Sequence, residues 1–163
     1  MSMSQAVPET STMRGSIAKV ALIDSGFWIA LLDNKNRDGY HHSAVDLFEK
    51  IESWHAIIPW PVLYEVVSTR LVKDNHKLIR LSTTLGMPGI ELIDDAPYRE
   101  LALKKALNSV HPICNLSLVD CVLREMIADV NLRVDGLATF NSRDFEDVCG
   151  RRRVPIFPRD VDS

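Results

Sequence analysis

The chain has 163 residues, of which 46% are hydrophobic and 25% are charged. This composition is ordinary for a globular protein, so it excludes a wholly disordered chain and predicts one domain with a substantial core. The 19 Lys and Arg residues are outnumbered by 22 Asp and Glu residues, giving a formal net charge of −3. That balance argues against a protein that holds nucleic acid by bulk positive charge.

The sequence gives no sign of export or membrane insertion. No apolar run approaches the roughly 18–20 residues that span a bilayer, and the Ser/Thr-rich first residues lack the apolar stretch of a secretory signal. Cys114, Cys121 and Cys149 are odd in number and form no close C-x-x-C pair, which favours free and mostly buried thiols. We therefore expect a cytoplasmic protein.

In chain order, residues 1–16 are predicted to be a disordered leader and residues 17–160 a single folded domain. Strands that alternate with helices are typical of a three-layer α/β domain, with a central and mainly parallel sheet of about five strands. The functional crevice of such a sheet lies outside the carboxyl ends of its strands. The predicted strands are Ile17–Ile23, Trp54–Pro59, Gly89–Ile93, Arg133–Ala138 and Val154–Phe157. The predicted helices are Phe27–Leu32, His42–Ile51, Pro61–Val72, His76–Leu85, Tyr98–Val110 and Ser117–Val130.

Four acidic residues stand at predicted strand ends or helix starts. Asp24 directly follows the first strand, although its Asp-Ser-Gly setting also suits a helix N-cap. Glu65 lies among apolar residues of a predicted helix, where a glutamate ordinarily faces water. Asp120 stands three residues after Ser117, which is the spacing of a capping box, and Asp144 follows the fourth strand, where a polar loop is also expected.

The shared placement of these carboxylates indicates a metal site. Carboxylates gathered at one crevice repel one another, and a hard divalent cation such as Mg²⁺ or Mn²⁺ prefers oxygen ligands. Such centres hydrolyse phosphodiesters by activating water and stabilising the charge that develops on the phosphate. The pattern therefore favours metal-dependent hydrolysis.

Four segments together resemble the PIN domain family, and within it the VapC-like toxins of prokaryotic toxin–antitoxin pairs. Their order and spacing fit the family from Val20 to Phe157. The patterns L-S-x-x-D and T-x-N-x-x-D-F are the most specific parts of the match. The matching segments are ALIDSGFWIALL (Ala21–Leu32), PWPVLYEVVSTRL (Pro59–Leu71), LSLVDCVLREMI (Leu116–Ile127) and LATFNSRDFE (Leu137–Glu146).

The resemblance implies a PIN-like α/β/α domain and a Mg²⁺-dependent endoribonuclease, with Mn²⁺ as an alternative, whose products carry 5′-phosphate and 3′-hydroxyl ends. Carried over by position, Asp24, Glu65 and Asp120 match the acidic metal ligands, and Asp144 matches a fourth acidic position. Asn141 stands where many relatives have an aspartate. It leaves open whether Asn141 or Asp144 completes the site, and whether a second metal binds.

The resemblance also implies supporting residues and partners. Thr139 and Ser117 match hydroxyl positions that hold the ligands or a water, although Ser117 is equally a helix cap. The implied partners are an RNA substrate, a cognate antitoxin protein and a second copy of the chain in a homodimer. The alternative is a catalytically impaired PIN-fold protein that acts as an RNA-binding or regulatory module. The asparagine at position 141 favours this alternative.

Two further groups have competing interpretations. The basic cluster Arg151, Arg152 and Arg153 either contacts RNA phosphates or forms a solvated loop before the last strand. The tryptophans stand in apolar runs, which predicts positions in the core or a dimer interface rather than platforms for stacking bases. They are Trp28, Trp54 and Trp60.

Overall fold

The computed structural model describes residues 18–33, 39–108 and 116–158. The predicted leader, residues 1–16, and Cys114 lie outside the described residues. The strands are β1 (Val20–Ile23), β2 (His55–Pro59), β3 (Ile90–Ile93), β4 (Gly136–Ala138) and β5 (Ile156–Phe157). The helices are α1 (Ser25–Leu32), α2 (His41–Lys50), α3 (Trp60–Ser68), α4 (Asn75–Leu85), α5 (Ala96–Leu107), α6 (Leu118–Ala128) and α7 (Glu146–Arg152). Short 3-10 helices occupy Arg70–Lys73 and Ser142–Asp144.

All five strands join one parallel sheet in the order β3-β2-β1-β4-β5. Successive residues of β1 and β2 are almost all buried. Because neighbouring side chains of a strand point to opposite faces, helices must cover both faces of the sheet. The predicted α/β class with a mainly parallel sheet is confirmed.

The helices contact one another in two groups. Helix α1 contacts α2, α3 and α4, while α6 contacts α5 and α7. Helix α3 also contacts α6, so it adjoins both groups. The largest fully buried side chains include Trp28, Phe27 and Phe145. Trp28 therefore belongs to the core, as predicted, whereas Trp60 is 38% exposed.

Helix α3 begins as the sequence predicts but ends earlier. Pro61 occupies the first turn, where its missing N–H is not needed. The helix stops at Ser68 rather than Val72 because Thr69 adopts an extended conformation, and its hydroxyl oxygen accepts the backbone N–H of Leu71 at 3.3 Å. That bond starts the 3-10 helix instead.

Helix α7 is not predicted by the sequence, because only Val148 and Cys149 of its seven residues are buried. Arg151 and Arg152 form its last turn, so the loop alternative for them is wrong. Arg153 ends the helix in the left-handed conformation, at φ 55°.

The arginines of this helix contact neighbouring protein groups. The side chain of Arg152 donates to the carbonyl oxygens of Ile127 and Asp129, at 3.1 and 3.3 Å. Arg151 pairs with Asp147 at 3.2 Å. Contact of the cluster with RNA stays a prediction.

Two other expectations concern the thiols and the membrane. Cys121 and Cys149 are free and buried, as predicted. Burial raises the pKa of the Cys149 thiol to about 11. Every helix in the described part of the chain is too short or too polar to cross a bilayer.

Candidate active site

The site lies where the chain direction across the sheet reverses. From β1 the chain adds β2 and β3 on one side, then β4 and β5 on the other. The carboxyl ends of β1 and β4 flank this switch point, which is the usual ligand crevice of such sheets. Asp24 follows β1 and Thr139 follows β4, and the backbone N–H of Asp24 donates to the carbonyl of Ala138 at 3.0 Å.

The Asp24 carboxylate is buried, with 5% of the residue exposed, and both of its oxygens accept hydrogen bonds. Oδ1 accepts the backbone N–H of Ser25 at 2.6 Å, which makes Asp24 the N-cap of α1. Oδ2 accepts the hydroxyl of Thr139 at 2.8 Å. The cap interpretation is therefore correct, and it is compatible with a place in the crevice.

Ser25 connects Asp24 to Glu65. The Ser25 hydroxyl oxygen lies 2.6 Å from Oε2 of Glu65 and 3.3 Å from Oδ1 of Asp24. A hydroxyl has one proton, so the shorter contact with Glu65 takes it. Nothing in the sequence marks Ser25 as a site residue except its position beside Asp24, and the sequence analysis missed it.

Asp120 forms the predicted capping box. Its Oδ2 accepts the backbone N–H of Ser117 at 3.0 Å, and its own N–H donates to the Ser117 hydroxyl oxygen at 3.0 Å. The charge of Asp120 also acts on Asp24. Burial raises the pKa of Asp24, the hydrogen bond from Thr139 opposes this, and the neighbouring Asp120 raises the pKa further.

Asp144 is tied to the site through its neighbours. The side-chain amide of Asn141 donates to Oδ2 of Asp144. The backbone N–H of Asn141 donates to the Thr139 hydroxyl at 3.0 Å, and that hydroxyl contacts Asp24. Both Asn141 and Asp144 thus adjoin the Thr139 end of the crevice.

The structure brings Asp24 and Glu65 together through Ser25, with Asp120 near enough to act on Asp24. Within residues 18–33, 39–108 and 116–158, no three His, Cys, Asp or Glu side chains are grouped closely enough to hold a metal ion. The four-carboxylate metal site stays a prediction.

Arg124 is a second residue that the sequence analysis missed. It stands one helical turn beyond Asp120 on α6, and its Nη1 donates to the backbone carbonyl of Asp144. Its two terminal nitrogens also bind the carboxylate of Asp147 at 2.6 and 2.7 Å. This pairing lowers the pKa of Asp147 to about 2. Arg124 therefore fixes the loop of Asp144 against the helix of Asp120.

A cavity of about 540 Å³ opens next to Glu65. Its walls come from α3, α5 and α6 and are mostly apolar, and Arg99 and the buried Asp95 line part of it. Arg99 binds Asp95 at 2.7 and 2.8 Å and Asp94 at 3.2 Å. The remaining lining residues are Pro61, Tyr64, Ser68, Leu103, Leu118, Val119 and Val122.

Comparison with known proteins identifies the fold. No protein-family model and no curated protein sequence matches the chain. Among solved structures, it is similar to VapC20 of Mycobacterium tuberculosis, a toxin that cleaves the sarcin–ricin loop, with a TM-score of 0.62 and 15% identity over 78% of this chain and 94% of that one. It is also similar to VapBC2 of Rickettsia felis bound to a DNA fragment from its promoter, with a TM-score of 0.54 and 16% identity over 84% of this chain and 96% of that one.

These likenesses define the class of the domain. The chain has the PIN-like fold of VapC toxins. The predicted fold and the resemblance in fold are confirmed. At identities of 15% and 16% the likeness establishes the fold, and the activity must be argued from the site.

Proposed function

We propose that the chain is a Mg²⁺-dependent endoribonuclease and the toxin of a type II toxin–antitoxin pair. The observation that carries this proposal is the buried Asp24 carboxylate, which lies at the switch point of a VapC-like sheet and is linked through Ser25 to Glu65. VapC20, which shares the fold, cleaves an RNA loop. Fold and acidic crevice together support RNA hydrolysis.

The donor chemistry fits a hard divalent cation. Asp24 combines burial with a neighbouring like charge, Asp120, and both raise its pKa. A bound cation relieves both effects, because it supplies the missing counter-charge. Carboxylate oxygens are also the ligands that Mg²⁺ and Mn²⁺ prefer.

Each residue of the site then has a role. Asp24, Glu65 and Asp120 would hold the cation, with Asp144 as the fourth acidic residue. Bound there, the metal would supply an activated water and charge stabilisation for the phosphate. Thr139 orients Asp24, and Ser25 keeps Glu65 beside it. Asn141 positions Asp144.

The proposal includes partners. VapBC2 of Rickettsia felis is a toxin–antitoxin pair bound to promoter DNA. By analogy, we propose that a cognate antitoxin binds this chain, that the chain forms a homodimer, and that it works in the cytoplasm, where its RNA substrate is found.

Induced expression tests the toxin role. We expect the chain to arrest bacterial growth and to leave cleaved RNA in the cells. Asp24→Asn should abolish both effects, because it removes a charged ligand and keeps the size of the side chain. Asp46→Asn is the matched control, since Asp46 is exposed on α2. Arrest by the Asp24→Asn chain would contradict the proposal.

A catalytically impaired RNA-binding or regulatory module is the second candidate. Asn141 in place of an aspartate, and the absence of a closely grouped set of three ligands among the described residues, favour it. Calorimetric titration of Mn²⁺ separates the two candidates. Specific binding that Asp24→Asn removes supports the nuclease, and no specific binding supports the impaired module.

A further inference from the structure

An aromatic stack lies beside the acidic crevice. It consists of Phe27, Phe140 and Tyr40, with Phe140 stacked on both of the others. The centroids of Tyr40 and Phe140 are 4.4 Å apart and their planes differ by 11°. Those of Phe27 and Phe140 are 6.0 Å apart, with planes that differ by 16°. Phe27 is completely buried, whereas Tyr40 is 43% exposed. The stack thus begins in the core and ends at the surface.

Phe140 joins this stack to the site. It stands between Thr139, which donates to the Asp24 carboxylate, and Asn141, whose N–H donates back to Thr139. Both flanking residues are therefore fixed by hydrogen bonds, which sets the backbone that carries the Phe140 ring. The aromatic stack lies one residue away from the hydroxyl that orients Asp24.

The backbone is fixed on both sides of Tyr40. Gly39 turns the chain at φ +73°, in the region that glycine favours. The carbonyl of Tyr40 accepts the N–H of Ala44 at 2.9 Å, in the first turn of α2. The next residue, His41, hydrogen-bonds through Nδ1 to the carbonyl of Ala30 at 2.8 Å. The fixed backbone and the stack on Phe140 restrict the Tyr40 ring, so the ring binds a partner with little loss of side-chain entropy.

We propose that the exposed ring of Tyr40 stacks on an unpaired base of the RNA that enters the acidic crevice. This inference rests on the proposed function and adds a residue that positions the substrate. Base-to-ring stacking requires a base whose face is free, as in single strands and loops, whereas paired bases in a helix are covered by their neighbours. Tyr40 therefore contacts the substrate at an unpaired base.

Binding to labelled RNA tests the proposal. The chain carries Asp24→Asn so that it does not cut the probe, a single-stranded oligonucleotide of mixed sequence with one 2-aminopurine, whose emission falls on stacking. Probes that differ only in the position of the 2-aminopurine are compared, and we expect the protein to quench the emission at one of these positions. Adding Tyr40→Leu should abolish the quenching and weaken binding about tenfold, within the range for one stacked base. Tyr40→Phe and Tyr40→Trp, which keep a ring, should retain both signals.

Cleavage kinetics give a second readout. In an otherwise unaltered chain, Tyr40→Leu should raise KM and leave kcat nearly unchanged, because the ring binds the substrate without touching the reacting atoms. For a duplex of the same sequence, neither binding nor cleavage should change when Tyr40 is replaced. If Tyr40→Leu fails to fold, Tyr40→Gln takes its place with the same expected losses, because a polar side chain suits this exposed position.

The outcomes distinguish this inference from the proposed function. Equal binding and cleavage by the Leu and Phe variants, or no RNA binding at all, overturns the stacking site. RNA binding that depends on the ring, in a chain that cuts no RNA with Mg²⁺, supports the stacking site and contradicts the nuclease.

Discussion

The hydroxyl of Thr139 donates a 2.8 Å hydrogen bond to Oδ2 of Asp24, across 115 residues of sequence. The same hydroxyl accepts the backbone N–H of Asn141 at 3.0 Å. One buried oxygen therefore connects the carboxyl ends of β1 and β4. It orients the carboxylate that we place at the centre of the site.

Thr139→Val removes this connection and keeps the side-chain shape. We expect RNA cleavage to fall about 10- to 100-fold, as for other groups that orient metal ligands. Stability should fall by about 1–3 kcal/mol, because the substitution leaves buried polar groups without a partner. Thr139→Ser keeps the hydroxyl and is the control. Equal activity of the Val and Ser variants would show that the hydrogen bond does not orient Asp24.

Asp24→Asn should stabilise the metal-free protein near pH 7. Burial and the charge of Asp120 raise the pKa of Asp24 in the folded state, so the ionised carboxylate opposes folding, while asparagine still caps α1. We expect the midpoint of thermal unfolding to rise, but by less than the loss of the charge alone would give, because the single amide oxygen of asparagine cannot replace both carboxylate oxygens that accept from Ser25 and Thr139.

The pH dependence of that difference has a definite sign. The folded state takes up the Asp24 proton more readily than the unfolded state, so protonation favours folding. The advantage of Asp24→Asn should shrink as the pH falls through the raised pKa, and should be gone below the unfolded value of 3.8. Thermal melts from pH 7 to pH 3.5 measure it, and an advantage that grows toward low pH would contradict the burial argument.

Substitutions in the capping box separate the two roles of Asp120. Ser117→Ala should lower stability by about 1 kcal/mol, the usual loss for an N-cap, and should reduce cleavage far less than Asp120→Asn does. In Asp120→Asn the amide oxygen still accepts the N–H of Ser117, so we expect near-normal stability with cleavage abolished. Thermal melts and an RNA assay on both variants check this. Full cleavage by Asp120→Asn would leave only the capping role.

Arg124 is expected to support both stability and activity. Arg124→Met removes the bidentate pair with Asp147. Stability should fall by only about 1 kcal/mol, because the Asp147 side chain is 50% exposed and solvent weakens the pair. The substitution should also weaken cleavage, because the loop of Asp144 loses its anchor. Arg124→Lys, which keeps the charge but not the paired geometry, should fall between wild type and Met.

The Arg124 pair also gives a pH signature. The pKa of Asp147 is lowered to about 2 in the folded state, so the pair contributes stability above the unfolded value of 3.8 and loses it as the pH falls through about 2. The gap in unfolding midpoint between wild type and Arg124→Met should therefore narrow in this range, and the part that is due to the bond from Arg124 to the carbonyl of Asp144 should remain. A gap that keeps its full size from pH 7 to pH 2 would show that packing and the bond to the Asp144 carbonyl, not the ion pair, are responsible.

The centre of the sheet is readable from the sequence because β1, β2 and β4 are buried along nearly their whole length and therefore read as short apolar runs. The run Trp54–Pro59 predicts β2, and His55–Pro59 is what forms. Asp24 and the capping box were also predictable, since each depends on residues within a few positions of one another. Parallel strands then place Asp24 and Thr139 at one edge without any knowledge of the contacts.

The rest depends on contacts between distant residues, or on segments with a weak pattern. Helix α7 has only two buried residues, so it has no apolar periodicity to detect. Ser25 reaches Glu65 across 40 residues, and Arg124 reaches Asp147 across 23. The stack of Tyr40 on Phe140 is likewise a product of the fold. A single sequence does not encode such pairs in any local pattern.

The most direct test of the account is an endonuclease assay on unpaired RNA with the purified chain, in Mg²⁺ and in EDTA. We predict internal cleavage that leaves 5′-phosphate and 3′-hydroxyl ends, stops in EDTA, and is lost in Asp24→Asn but not in Asp46→Asn. Cleavage that continues in EDTA, or that Asp24→Asn leaves intact, would contradict the assignment of Asp24 and its neighbours as the metal-dependent centre.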